Sequence, residues 1–350
     1  MHVVDVTEAD WFQGCRRAWD LGSAARRNLE PALPTRPFDP AAALRDALRD
    51  ALGAWYFPAM WAWNRSLVRP IAVETFHKAM RAQRQRWLDA GAGPFPEETY
   101  AAAAARGEET LAAYVEWAPG VDDFHAVRVA ADLDVVVPDP DQAGAGLLAP
   151  DGIGVRFHGR IDLLAADEHG RLWLVEHRVV EGDWCEPEVL ALDRRCAALA
   201  WAVEAQYDAT LSGVLINELR PGGGPPAATT PQPGPPAVVG DAAGRFRRTR
   251  VRTTPQAMRR LRRQFAAMAR AMVDPVVAVY PSPSPALCSV CRFTAPCLAM
   301  SAGEDPAPVL EASFRTVVPD TIPLPARTGS LGPQRVYGWK TKGPGLPQPY

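Results

Sequence analysis

Two groups of residues in this 350-residue chain have types and spacings that could do chemistry. The first lies in HGRIDLLAADEHGRLWLVEHRVV, His158 to Val180, where Asp162 and Glu176 interrupt runs that otherwise read as buried strand. If Glu168-His169-Gly170 closes a hairpin with Gly170 left-handed, Asp167 faces Arg171. The same register sets Asp162 opposite Glu176 and Arg160 opposite Arg178. Opposed carboxylates have Cβ atoms about 4.5–5.5 Å apart and repel unless a cation or proton lies between them. Mg²⁺ or Mn²⁺ takes carboxylate and carbonyl oxygens together with waters, and can activate a water for attack on a phosphodiester. Acidic residues on the wet face of an exposed hairpin are the plainer alternative. Leu163, Leu172, Leu174 and Val175 around the pair suit a strand covered on both faces.

The second group is cysteine. CSVCRFTAPC sets Cys288, Cys291 and Cys297 in a C-x₂-C-x₅-C array, and WFQGCRRAWDLGS supplies Cys15 as a fourth thiol near the start. Four thiolates suit tetrahedral zinc or a 4Fe–4S cluster, with unrelated buried thiols as the alternative. Cys185 and Cys196 read as ordinary core or surface thiols. Nine arginines also crowd RFRRTRVRTTPQAMRRLRR, Arg245 to Arg263. Arg247, Arg248 and Arg250, with Arg16 and Arg17 beside Cys15, are candidate DNA phosphate contacts of salt-dependent affinity. A solvated helix face is the competing reading, because the chain has 38 basic residues and only Lys78, Lys340 and Lys342 are lysines.

The elements that must position these residues follow from periodicity. Apolar residues recur every three or four positions from Pro40 to Trp117, which predicts an N-terminal helical block over residues 1–125 that includes Cys15. FHAVRVAADLDVVVP alternates as a strand, and IGVRFHGRIDLLAAD with GRLWLVEHRVVEG forms the hairpin. PEVLALDRRCAALAWAVEAQY predicts one helix, and TLSGVLINEL another strand. This order implies a mixed α/β core over residues 126–301, interrupted by a Pro/Gly-rich insertion at about 220–244. RFRRTRVRTTP predicts a strand leading into a helix capped by Thr254 with Pro255 in its first turn. Residues 302–350 are Pro-rich and lose periodicity, which predicts a disordered tail or an arm for a protein partner. Net charge is −2, so no global field marks a nucleic-acid or membrane protein. Without a membrane span or signal segment, the expectation is a cytoplasmic protein whose cysteines are thiols or ligands.

Gly159-Arg160-Ile161-Asp162 followed by Glu176-His177-Arg178 resembles the G-x-x-D and (D/E)-x-K core of the PD-(D/E)XK nuclease superfamily, in its RecB-like branch. The resemblance implies a restriction-endonuclease-like mixed sheet with a C-terminal cysteine-rich staple, and metal-dependent, exonuclease-like hydrolysis of single-stranded or free-ended DNA. It further implies Asp162 and Glu176 as metal ligands, the His177 carbonyl as a third, and Arg178 in place of the lysine. An arginine cannot act as a base, but it can hold a phosphate, so a catalytically degenerate DNA-binding or assembly module is the alternative. The family tends to carry Gln and Tyr on the following helix, where this chain has Arg195 and Leu199; Arg195 is there a candidate DNA contact. Many relatives carry a His on a helix before the core; Glu108 and Glu109 lie in that region, and His77 and His125 fit loosely. One cysteine before the core and three after it resembles the iron–sulfur staple of AddB-type and CRISPR-associated nucleases, which favours iron over zinc.

Overall fold

The computed structural model describes residues 1–32, 38–91, 93–222 and 237–317. Strand β1 (His2–Val4) leads into α1 (Val6–Gly14) and α2 (Arg16–Gly22), which meet at Cys15, whose extended backbone ends one helix and starts the next. After β2 (Leu29–Pro31) come the long helices α3 (Pro40–Trp55), α4 (Arg65–Asp89) and α5 (Glu97–Trp117). Asp39 caps α3 by accepting from the backbone of Ala41 and Ala42, and Asn64 caps α4 by accepting from Ser66. The apolar run expected to continue to Trp61 leaves the α-helix at Trp55 and passes through a 3₁₀ turn at Pro58–Met60. Pro58 has no N–H to continue the helical ladder.

Strands β3 (Phe124–Val136), β4 (Val155–Asp167) and β5 (Leu172–Val179) follow, then α6 (Pro187–Leu190), α7 (Arg194–Tyr207) and β6 (Leu211–Leu219). β7 (Ala237–Gly240), β8 (Phe246–Arg252) and α8 (Pro255–Val273) complete the core. The chain continues through α9 (Pro285–Cys288), α10 (Thr294–Ala302), α11 (Ala307–Ser313) and β9 (Phe314–Thr316). The main sheet has seven strands in the order β1-β4-β5-β6-β8-β7, with β3 on the other edge of β4. β1–β4 and β5–β6 are parallel, and the other pairs are antiparallel. α7 is the crossover that parallel β5 and β6 require.

Each sheet face has its own core. Phe157, Ile161, Leu174 and Ile216 pack with Leu199 and Trp201 of α7 and Phe265 of α8. On the opposite face Leu163, Val175, Leu215 and Phe246 pack with Leu48, Phe76 and Tyr114 of the helical block. Full burial of such a side chain stabilises by about 1.5–3 kcal/mol, so the block and the sheet support one another. The boundary expected at residues 125 and 126 falls inside β3.

Two further expectations are corrected. The single helix expected from Pro187 to Tyr207 breaks at Asp193, whose carboxylate caps α7 by accepting from the Cys196 backbone N–H. The tail is ordered through Val317, because β9 pairs with β2 and Phe314 packs with Leu21 and Phe293. Residues 318–350 of the tail, with the arm expected there, and residues 223–236 of the insertion lie outside the described residues. Thr254 does cap α8 by accepting from Ala257, with Pro255 in the first turn.

Candidate active site

The hairpin has the register read from the sequence, but only over part of its length. Asp167 N–H donates to the Arg171 carbonyl at 3.0 Å, and Gly170 has φ +74°. β4 pairs with β5 from Leu163↔Val175 to Ala166↔Leu172 and no further. β1 takes the same edge of β4 at Val155–Phe157, while β5 continues along β6. The strands therefore fork just where Asp162 and Glu176 emerge. Neither Asp162 with Glu176 nor Arg160 with Arg178 forms the ladder pair expected, because the fork ends the pairing at Leu163; Arg160 lies instead 3.5 Å from Asp132.

The other edge of β4 is distorted at the same point. Val129 pairs with Leu163 and Ala131 with Ile161, and Ala130 between them has φ +48°. A regular strand would place Ile161 and Leu163 on one face, yet they enter opposite cores. The Asp162 side chain turns toward β5, where Oδ2 accepts the His177 backbone N–H at 2.8 Å.

Both carboxylates are buried and each meets an arginine. Arg49 Nε of α3 lies 3.0 Å from Asp162 Oδ1, and Arg195 Nε of α7 donates to Glu176 Oε1 at 3.1 Å. Burial pushes both carboxyl groups above their usual range; Arg49 and the His177 N–H oppose this at Asp162, whereas the neighbouring Asp162 charge adds to it at Glu176. Glu176 Oε2 is buried without a hydrogen-bond partner. Two adjacent acidic groups with a bare inward oxygen are a donor set that fits a hard divalent cation, with the His177 carbonyl the expected third ligand. Gly159 explains how α7 comes so close: a Cβ there would lie 2.8 Å from the Phe157 ring and 3.0 Å from Leu199. Leu199 thus seats the helix on β4, and Arg195, one turn earlier, reaches Glu176.

Arg178 shares the strand face of Glu176 but turns away from it. Its guanidinium donates to Asp193 Oδ2 at 2.7 Å and to Cys196 Sγ at 3.0 Å. His177 points to the opposite layer, where Asn217 Nδ2 lies 2.9 Å from its Nδ1 and Tyr56 stacks on its ring. Asn217 Oδ1 in turn accepts from Arg248. Burial, with Arg248 and Arg49 nearby, holds the imidazole neutral with a pKa of about 3.

Arg247 and Arg248 are buried, which corrects their expected place on a phosphate-binding surface. Arg247 pairs with Glu218, and Arg248 pairs with Asp122 and donates to the hydroxyls of Tyr56 and Tyr114. Each is neutralised inside the fold, as a buried cation must be. Arg250 is half-buried and pairs with Asp123. The exposed basic face is instead Arg259, Arg260, Arg262 and Arg263 on α8. Arg16 stacks on Phe12 and Tyr280.

The four cysteines line one cavity of about 1110 Å³. Arg17 donates to Cys297 Sγ at 3.4 Å, Ser282 N–H to Cys15 Sγ at 3.5 Å, and Phe293 N–H to Cys291 Sγ at 3.4 Å. Burial raises the Cys291 thiol, opposed by the Phe293 N–H, and the other three thiols raise it further. Among the described residues no three His, Cys, Asp or Glu side chains gather into a set that could hold a metal ion. Cys185 and Cys196 lie elsewhere, and Cys196 is buried beside Arg178.

Residues 6–298 match the family model of the PD-(D/E)XK nuclease superfamily. The chain belongs to this superfamily. Its seven-stranded mixed sheet agrees with the restriction-endonuclease-like fold of PD-(D/E)XK proteins. The crystal structure of SSO0001 is similar at 12% identity and a TM-score of 0.29, over 73% of this chain and 93% of that one. No curated protein matches the chain. Around the carboxylate pair, the residues not singled out from sequence are Arg49 and Asp193. Arg49 lies in the repeat LRDALRDAL, where nothing distinguishes it from a solvated Arg45, and it is the residue that a helix before the core brings to Asp162. His77 instead lies 3.6 Å from Glu108, and His125 is a partly buried strand residue. The signal for Asp193 was its own type, since Asp three residues before Cys196 is a helix-start pattern.

Proposed function

We propose that this chain is a divalent-cation-dependent deoxyribonuclease that hydrolyses phosphodiesters of single-stranded or free-ended DNA in an exonuclease-like manner. The observation that carries this reading is the convergence of the covered Asp162 and Glu176 side chains at the strand fork, with Glu176 Oε2 unpartnered. Asp162, Glu176 and the His177 carbonyl would hold Mg²⁺ or Mn²⁺, which supplies charge stabilisation at the phosphate and an activated water. The His177 N–H orients Asp162, and Arg195 brings positive charge to the same place for a phosphate oxygen. The exposed arginines of α8 offer a surface for the DNA backbone.

In the same proposal Cys15, Cys288, Cys291 and Cys297 hold a 4Fe–4S cluster that ties α1 and α2 to the C-terminal segment. N–H donors are aimed at three of the sulfurs, an arrangement suited to holding cluster ligands. One cysteine before the core and three after it, all four lining one cavity, is the arrangement that favours a cluster over zinc in this reading.

The test is Mn²⁺-dependent degradation of end-labelled single-stranded DNA. Cleavage by the wild-type chain that Asp162→Ala abolishes, with the far-UV spectrum unchanged, supports the enzyme. A second reading, a catalytically degenerate DNA-binding module, is favoured by the diversion of Arg178 to Asp193. Salt-sensitive DNA binding without cleavage under any divalent cation would select it.

A further inference from the structure

The arginine at each carboxylate has a consequence beyond the ligand set. Two adjacent ionised carboxylates in a fold interior destabilise one another unless opposite charge accompanies them. Asp162 and Glu176 expose 8% and 3% of their side chains, whereas their partners Arg49 and Arg195 expose 40% and 37%. The cations come from opposite layers, Arg49 from α3 and Arg195 from α7, and meet the pair from the two sides of the sheet. Arg178, the cation of the triplet itself, is committed to Asp193 and Cys196.

We propose that Arg49 and Arg195 are exchangeable counter-ions, which neutralise the carboxylate pair before a divalent cation binds and surrender Asp162 Oδ1 and Glu176 Oε1 when one enters. This rests on the divalent-cation reading of the site. The exchange conserves charge, because two guanidinium groups and one divalent ion each balance two carboxylates. Both guanidinium groups are partly exposed, so they can swing outward and regain water, whereas the carboxylates stay fixed. Asp162 remains oriented by the His177 N–H throughout. The displaced guanidinium groups then stand at the mouth of the site, where phosphate oxygens of a substrate would meet them.

The test is Mn²⁺ binding to the full chain by calorimetry, which does not depend on turnover. Arg49→Gln and Arg195→Gln should each bind Mn²⁺ about fivefold more tightly than wild type, the effect of removing one partly exposed competing ion pair. Arg49→Lys and Arg195→Lys should stay near wild type, and Asp162→Asn should lose binding. Unchanged or weaker binding in both Gln variants, with wild type binding normally, overturns the exchange while leaving the nuclease reading intact. Lys variants that behave as the Gln variants do also overturn it, since geometry and not charge would then decide. A wild-type chain that binds no Mn²⁺, beside Gln variants that do, upholds the exchange and defeats the nuclease reading; no binding in any variant defeats both.

Discussion

The guanidinium of Arg178 lies 2.7 Å from Asp193 Oδ2, while Asp193 Oδ1 accepts the Cys196 backbone N–H. One carboxylate therefore both starts α7 and removes the triplet's cation from the carboxylate site. That helix start in turn sets the position of Arg195, so the loss of one cation and the arrival of another share a cause.

Arg178→Lys is expected to preserve or raise Mn²⁺-dependent cleavage of labelled single-stranded DNA. The shorter ammonium cannot match the guanidinium's simultaneous contacts with Asp193 and Cys196, and it can turn back toward Glu176. A clear fall in cleavage rate by Arg178→Lys, with folding intact, would count against the triplet's alignment.

Ala130→Gly is expected to stabilise the fold by roughly 1 kcal/mol, measured by urea unfolding, because Ala130 holds φ +48° opposite Asp162. A β-branched Ala130→Val should cost more than it gains. Equal stability of all three chains would show that the left-handed residue is not present in solution.

The contribution of His177 to stability should fall as pH drops from neutral. Burial holds the His177 pKa at about 3 in the fold, while an unfolded histidine titrates near 6.5. Between those values the unfolded chain takes up a proton that the folded chain refuses. This group's contribution is complete above the unfolded value and declines by about 1.4 kcal/mol per pH unit below it. Urea unfolding at pH 7, 6, 5 and 4 should show a shallower decline in His177→Gln than in wild type.

Cys15→Ser is expected to remove the visible absorbance of an iron–sulfur cluster and to lower the thermal midpoint, because the cluster would join the first helices to the α9–α10 segment. A brown wild-type preparation turned colourless by this change supports iron. A colourless wild type carrying one zinc per chain would overturn the cluster assignment.

What could be read from the residues was mainly local. Gly170 and the alternation around it determined the hairpin register, Thr254 and Pro255 marked a helix start, and three-to-four periodicity located α3 to α5. Each depends on contacts within a few residues, which sequence encodes directly. Arg247 and Arg248 show where that reach ended. Their charges suggested a surface, but their surroundings are Glu218, Asp122, Tyr56 and Tyr114, brought together from distant parts of the chain.

The sequence by itself determined which residue types stand at the carboxylate pair, the spacing of the cysteines, and the succession of the helical block, β3 to β6, β8 and α8. Only the tertiary structure decided that β4 and β5 part at Asp162, that Arg49 and Arg195 meet the carboxylates from opposite layers, and that Arg178 faces Asp193. Those outcomes depend on how whole elements pack across a sheet: Leu199 must settle over Gly159 before Arg195 can touch Glu176, and no local pattern carries that distance.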